Sequence, residues 1–338
     1  MWSRWWRLCS CLGEKQQPPE SDRSLRKRKV SVAQGKTRKS TIKPTFKQNI
    51  KPKASVKSPS SNISSMPAKA VRFVGVSLAG GKSDKACIAV IEYYPENKKV
   101  FLSRLFEKIK SDEKISGDLK IHELIYQNGE TLKYVAFDTP WSLPNCLTCT
   151  LKCPGFENCR EPHIEWMWRH QEDRLKKKKP KKLFTPYTQR CVELYFATEL
   201  EETFNLHHAM GANSAPLLAR AAFIQKRIPF DCIEAYPKLT MWRMGQYLGL
   251  MKSTLRDHRA AFGGEESRAQ FIQAMNEKNL TFIYHQDAKS MIENSHAFDA
   301  FLCALTGFLK FKNQTEPRPK KFPENEDWIE FPKEKLDF

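Results

Sequence analysis

From residue 71 onward, the chain alternates short apolar runs with amphipathic segments, a pattern typical of an α/β domain. The first run, VRFVGVSLAG, begins at Val71 and ends at the glycine pair Gly80 and Gly81. A short polar link leads into a second β-rich run at 86–94, which predicts a hairpin. Residues 98–107 predict a third antiparallel strand.

A helix and a fourth strand follow this three-stranded meander. Residues 112–127 carry apolar side chains at helical spacing, and 132–140 form a buried run that Pro140 ends. The order βββαβ therefore predicts a helical crossover into a parallel strand.

The second half of the chain continues the same alternation. It predicts helices at 214–227, 238–250, 256–278 and 295–311, a strand at 230–237 and a short extended segment at 326–335. Residues 144–190 interrupt the pattern and are predicted to form an insertion. The fold expected is a mixed five-stranded sheet, with three antiparallel strands and then parallel strands, flanked by helices and carrying a Cys-rich insertion.

Positive charge is concentrated near the N-terminus. The formal net charge is +19, but residues 1–70 hold 17 Lys and Arg against three acidic residues, leaving 40 basic and 35 acidic residues for the rest. Residues 1–69 are rich in Lys, Ser, Pro and Thr, which favours a disordered basic tail ahead of a folded domain at 70–338. Such a tail is either a solvated extension or an arm that binds nucleic acid non-specifically.

The sequence predicts a cytoplasmic protein. Its Trp/Arg-rich first residues lack the apolar core of a secretion signal, and no run approaches the ~18 apolar residues of a transmembrane segment. In a reducing compartment the ten cysteines are expected to be metal ligands or buried thiols rather than disulfides.

Four of the cysteines are close together in the insertion, at Cys146, Cys149, Cys153 and Cys159. Their spacing indicates a metal site, with tetrahedral Zn²⁺ the first choice. A [4Fe–4S] cluster is the alternative, because a C-x2-C pair followed by a Cys-Pro is similar to ferredoxin-like runs, and unligated thiols are a third possibility. The two histidines that follow, His163 and His170, are seven residues apart and are expected at the surface.

A run of lysines follows the cysteines, with Trp166, Trp168 and Arg169 just before it. Its members are Lys176, Lys177, Lys178, Lys179, Lys181 and Lys182. Positive charge beside aromatic rings is typical of a groove that follows a nucleic-acid backbone and stacks its bases. A solvated charge run is the other interpretation.

Several motifs together resemble a known group of proteins. The motifs VGVSLAG, VAFDTPWSLP, IEAYP, HAFDAFLCALTGFL and DWIEFP, spread over residues 71–332, resemble the ribonuclease H-like superfamily. More closely, they resemble its uncharacterised branch known as domain of unknown function 429, whose members are predicted nucleases. The resemblance implies a ribonuclease H-like fold and hydrolysis of phosphodiester bonds in DNA or RNA.

The same resemblance implies a carboxylate site for Mg²⁺ or Mn²⁺ at Asp138, Glu234 and Asp299. Asp138 and Glu234 lie near the C-terminal ends of predicted strands, where parallel sheets place their ligands. Asp299 lies on a predicted helix, on a small, mostly uncharged stripe opposite the apolar face.

One position departs from the superfamily pattern. Where the first strand normally supplies an aspartate that bridges two metals, this chain has Ser77, and Asp84 lies beyond the turn. Two functions are therefore expected from the sequence: a metal-dependent nuclease, or a catalytically impaired nucleic-acid-binding protein that keeps the fold. A small-molecule phosphotransfer role is weaker, because the only phosphate-loop signal is the glycine pair in LAGGKSD.

Overall fold

The structure is a computed structural model that describes residues 69–80, 83–176, 183–200, 208–211 and 213–337. The predicted basic tail, apart from Lys69, lies outside these residues. Among the described residues, no helix combines the length and apolar character needed to cross a membrane.

The described residues form one mixed sheet. Its strands are β1 (Val71–Leu78), β2 (Ala86–Tyr94), β3 (Lys99–Ile109), β4 (Leu132–Phe137), β5 (Cys232–Ala235) and β6 (Ile329–Glu330). Their order across the sheet is β3-β2-β1-β4-β5-β6. β1, β2 and β3 pair antiparallel, whereas β4, β5 and β6 pair parallel. The prediction of five strands was wrong by one, because the extended segment near the C-terminus pairs with β5 as a sixth strand.

Helices cover both faces of this sheet and form the insertion. They are α1 (Gly117–Gln127), α2 (Asn145–Thr148), α3 (Pro162–Lys176), α4 (Cys191–Glu199), α5 (Ala215–Gln225), α6 (Pro237–Tyr247), α7 (Lys252–Leu255), α8 (Gly264–Glu277), α9 (His285–Glu293) and α10 (Ser295–Phe311). The helix predicted at 256–278 is shorter in the structure: residues 256–263 lie between α7 and α8 and are not helical, and α8 begins only after Gly263, whose backbone is left-handed with φ +78°.

The last long helix, α10, is the centre of the core. Every residue from Ala297 to Leu309 is buried, and the helix packs across β1, β2 and β4. Gly75 in β1 makes this approach possible, because a Cβ there would collide with the carbonyl oxygen of Ala300 and the amide of Ala304. The backbone of α10 therefore lies directly against the strand that carries Ser77.

The sheet topology brings three chain segments to one edge. β1 and β4 are parallel neighbours, and their register pairs Val76 with Phe137. The residues that follow, Ser77 and Asp138, therefore lie side by side at the C-terminal ends of these strands. The N-terminal end of α10 begins at the same place, capped by the side chain of Asn294, which accepts hydrogen bonds from the amides of His296 and Ala297.

Candidate metal centre

Asp138 is fixed by contacts from the first strand. Ser77 Oγ donates a hydrogen bond of 2.6 Å to Asp138 Oδ2, and the backbone amide of Leu78 donates one of 3.2 Å to Oδ1. Ser77 therefore orients the carboxylate of the neighbouring strand. Asp84 does not reach this site; its carboxylate instead accepts a hydrogen bond from the amide of Ser111.

Two residues of α10 complete the group. His296 and Asp299 are three positions apart, so they lie on the same side of the helix. Asp138, His296 and Asp299 each offer one ligand atom, and these three atoms all lie within 4.8 Å of one another. The arrangement offers two carboxylates and one imidazole to a cation.

Ser77 also contacts the ring of His296. His296 Nδ1 lies 3.0 Å from Ser77 Oγ, and the Ser77 proton is directed to Asp138. Donation from His296 Nδ1 to Ser77 Oγ is consistent with this arrangement.

A second layer of side chains holds Asp299. His258 Nε2 donates a hydrogen bond of 2.7 Å to Asp299 Oδ1, and both side chains are fully buried. Nη1 of Arg268 donates a hydrogen bond to the carbonyl oxygen of His258 and thereby fixes the backbone of that histidine. Supporting contacts of this kind orient metal ligands in known sites.

Arg259 stands between the two carboxylates. Its Nε lies 2.7 Å from Asp299 Oδ2, although without good hydrogen-bond alignment, and its Nη2 lies 3.6 Å from Asp138 Oδ2. The side chain is 26% exposed, whereas that of Asp299 is fully buried. Arg259 therefore reaches the pair from the solvent side.

The two carboxylates have different pKa shifts. Burial raises the pKa of Asp138, although the charge of Arg259 opposes this. Burial acts in the same direction on Asp299, but Arg259 and His258 outweigh it and lower the pKa of Asp299 to about 2. Asp299 is therefore ionised near neutral pH, and the two carboxylates share one guanidinium.

Glu234, the third predicted carboxylate, is engaged elsewhere. Both its oxygens accept hydrogen bonds from Arg190, at 2.7 and 2.8 Å, and the amide of Trp141 donates another at 2.9 Å. Arg190 also contacts Glu193, which accepts from His208 in turn. The pKa of Arg190 is raised by these two glutamates in spite of burial. The structure thus brings Asp138 and Asp299 together and leaves Glu234 outside that group.

The four insertion cysteines line a single cavity. Its volume is about 300 Å³, and its walls include Cys146, Cys149, Cys153 and Cys159. His163 lines the same cavity and is only 3% exposed, so the prediction that it lies at the surface was wrong. His170 is half-buried, stacks on Trp166 and lies 2.7 Å from the hydroxyl of Thr198.

The lysine run is described only at its first member. Lys176 ends α3, is exposed and lies 3.3 Å from Asp173. The other predicted nucleic-acid contacts, Lys177, Lys178, Lys179, Lys181 and Lys182, lie outside the described residues. The two nearby tryptophans are half-buried, Trp166 against Phe322 and Trp168 against Phe156 and Phe184.

Sequence reasoning missed His296, His258 and Arg259. A signal existed for His296, because it precedes Asp299 by three residues within a segment predicted to be helical. No comparable signal marked the other two, which lie in the turn between α7 and α8. Their contact with α10 depends on tertiary packing.

Comparison with known proteins assigns a family. No curated protein and no solved structure matches the chain significantly. A family model described as "Protein of unknown function (DUF429)" matches residues 118–321. That region includes Asp138, Asp299 and the four insertion cysteines, whereas Ser77 precedes it. Because the match covers more than half of the 338 residues, the chain belongs to the DUF429 family.

Proposed function

We propose that this protein is a metal-dependent nuclease, whose divalent cation is held by Asp138, His296 and Asp299. The convergence of these three side chains within 4.8 Å carries the proposal. Asp138 follows the C-terminal end of the parallel strand β4, where α/β proteins commonly bind their ligands, and α10 brings His296 and Asp299 to it.

The donor set fits a first-row divalent cation better than it fits Mg²⁺. Carboxylate oxygens suit Mg²⁺ and Mn²⁺ alike, but an imidazole nitrogen favours Mn²⁺ or a later transition metal. His296 would bind through one of its ring nitrogens. Mn²⁺ is therefore the first choice.

When bound, such a cation would lower the pKa of a coordinated water and polarise a phosphoryl oxygen. The rest of the site has roles that the chain itself supplies. Ser77 and His258 hold Asp138 and Asp299 in fixed orientations. Arg259 is the solvent-facing cation of the group and is suited to grip a phosphate through two N–H groups.

A catalytically impaired nucleic-acid-binding protein is the second candidate. Two observations favour it: Ser77 replaces an acidic residue of the superfamily pattern, and Arg259 already partly neutralises both carboxylates. In that case the ion pairs would stabilise the fold, and no cation would be needed.

Metal binding and cleavage, measured on the same samples, test both candidates. The protein would be titrated with Mn²⁺ by calorimetry and then incubated with labelled single-stranded, duplex and branched DNA and with RNA. Three variants would be compared with the parent: Asp138→Asn, His296→Asn and the matched control Asp231→Asn. Asp231 is exposed and immediately precedes β5, and it is not one of the three proposed metal ligands.

The nuclease proposal expects saturable Mn²⁺ binding and cleavage in the parent and in Asp231→Asn. Both should fall by at least about tenfold in the two site variants, since losing even an outer-shell partner has that effect. Salt-sensitive binding of nucleic acid, without Mn²⁺ binding or cleavage, would support the second candidate instead. Cleavage that is equal in all four proteins would refute the assigned site.

A further inference from the structure

The cysteine cavity offers a second ligand site, separate from the carboxylate group. Four thiols from a segment of 14 residues, 146–159, line a space of about 300 Å³. Cys146 and Cys159 are half-buried, whereas Cys149 and Cys153 are exposed.

The separation of the thiols favours one of the two metal centres that the spacing allows. In a tetrahedral zinc site with Zn–S bonds of ~2.3 Å, sulfur atoms lie only about 3.8 Å apart. Within the described part of the chain, no three of these thiols come within 4.8 Å of one another. They line a cavity instead. The four ligands of a cubane are likewise farther apart than those of a single zinc ion, because each binds a different iron atom.

Other residues of the cavity suit an anionic cluster. A [4Fe–4S]²⁺ cluster with four thiolates carries two net negative charges, and Lys152 and Arg160 line the same space. His163 is buried there too, and its Nδ1 has no hydrogen-bond partner among the described residues. Hydrogen bonds from such donors to cluster sulfur atoms tune the stability and potential of iron–sulfur centres.

The segment that carries the cysteines has little core of its own. Between α2 and α3, Phe156 contacts the domain by stacking on Trp168 and packing against Phe184. A ligand that crosslinks four side chains would therefore contribute much of the order of this segment.

We propose that Cys146, Cys149, Cys153 and Cys159 ligate a [4Fe–4S] cluster that orders the insertion, with His163 as a hydrogen-bond donor to it. The site is independent of the carboxylate group, so the proposal holds whether or not the protein cleaves nucleic acid.

The test is metal analysis of the full-length chain, produced and purified without oxygen and then reconstituted with Fe²⁺ and sulfide. Iron, acid-labile sulfide and zinc would be quantified per chain, and Mössbauer spectra recorded. A double variant, Cys149→Ser/Cys153→Ser, removes the two exposed ligands, and Cys232→Ser is the control. Cys232 lies in β5 outside the cavity, where its thiol contacts the carbonyl oxygen of Phe230.

The expected result is about four iron and four sulfide per chain in the parent and the control. The double variant should lose at least about 90% of both, as the removal of direct ligands demands. One zinc per chain without iron would overturn the proposal. So would a reconstituted parent that binds neither metal while all four thiols react with an alkylating reagent. These two results are read from the parent alone, so they stand even if the double variant fails to fold.

Discussion

Arg259 Nε lies 2.7 Å from Asp299 Oδ2, so the positive charge of one side chain directly faces the carboxylate of the other. Nη2 of the same guanidinium lies 3.6 Å from Asp138. Arg259 thus occupies a position between the two carboxylates that are proposed to hold a metal. A cation entering this site would compete with it.

Replacing Arg259 with alanine should therefore have opposite effects on the metal-free and metal-bound states. Without metal, the loss of the partner of two buried carboxylates should lower the free energy of unfolding by about 3 kcal/mol. Mn²⁺ affinity should rise at least about tenfold, because a unit charge at ~4 Å is worth several kcal/mol at a partly buried site. Thermal unfolding with and without Mn²⁺ measures both effects.

Arg104→Ala is the control for that experiment, because Arg104 is an exposed arginine of β3, away from the carboxylates. It should change neither the unfolding temperature nor its response to Mn²⁺. If the Mn²⁺-induced shift of Arg259→Ala is no larger than that of the parent, the competition between arginine and metal is refuted.

Gly75 controls the distance between β1 and α10, and therefore between Ser77 and His296. Gly75→Ala forces a methyl group against the backbone of α10. Overpacking of this kind costs about 1–3 kcal/mol or more, and a displaced α10 should also weaken Mn²⁺ binding. Calorimetric unfolding and Mn²⁺ titration would report the two losses together.

Gly80→Ala is the matched control, because a Cβ at that position would meet its nearest neighbour at an ordinary 3.6 Å. We expect its stability and Mn²⁺ affinity to equal those of the parent. A Gly75→Ala protein that loses stability but keeps full Mn²⁺ affinity would show that the site tolerates movement of the helix.

Glu234→Gln tests whether the third predicted carboxylate is a metal ligand or a structural ion pair. Its bidentate contact with Arg190 predicts a structural role: the free energy of unfolding should fall by about 3 kcal/mol, because a buried guanidinium loses one of its two carboxylate partners. Mn²⁺ affinity should stay near that of the parent. Denaturant unfolding and Mn²⁺ titration separate the two roles.

The converse variant is Asp138→Asn, which should lower Mn²⁺ affinity more than stability. If Glu234→Gln instead reduces Mn²⁺ affinity as strongly as Asp138→Asn does, Glu234 belongs to the metal site. Arg190 would then have to release it when the cation binds.

Elements with long periodic patterns were predictable, and short ones were not. The apolar runs of β1 and β2 and the helical spacing of α10 are strong local signals, and each lies where the sequence predicts it. β6 has two residues, and its pairing with β5 depends on tertiary contacts that no local pattern encodes. α9 was missed although Ala288, Met291 and Ile292 are at helical spacing, because only nine residues carry the pattern.

The residues of the candidate site likewise divide into those that the sequence predicts and those whose contacts depend on tertiary packing. Resemblance to a family pointed to Asp138 and Asp299, and the parallel register of β1 and β4 explains why the first of these lies beside Ser77. It also pointed to Glu234, but the partner of that carboxylate, Arg190, lies 44 positions earlier in the chain. Pairing over such a distance is decided by packing, which a single sequence does not display.

A buried carboxylate near the C-terminus should make stability depend on pH. Glu326 is 4% exposed, and neither oxygen has a well-aligned hydrogen bond among the described residues, although the amide of Cys191 is adjacent. Burial, opposed in part by the charge of Arg190, raises its pKa from 4.5 to about 7. The native state thus holds this proton at pH values where the unfolded chain has released it.

Since the native state binds the extra proton, stability should fall as pH rises from about 4.5 to about 7 and then level off. At ~1.4 kcal/mol per pH unit, the loss from this group is on the order of 3 kcal/mol. Glu326→Gln is neutral at every pH and should remove that loss, so its stability relative to the parent should be greater at pH 8 than at pH 5. Urea unfolding at the two pH values measures the difference. Glu324→Gln, a change at an exposed neighbour, should show no such dependence. Equal pH profiles for the parent and Glu326→Gln would mean that Glu326 is ionised in the native protein and has a polar partner there.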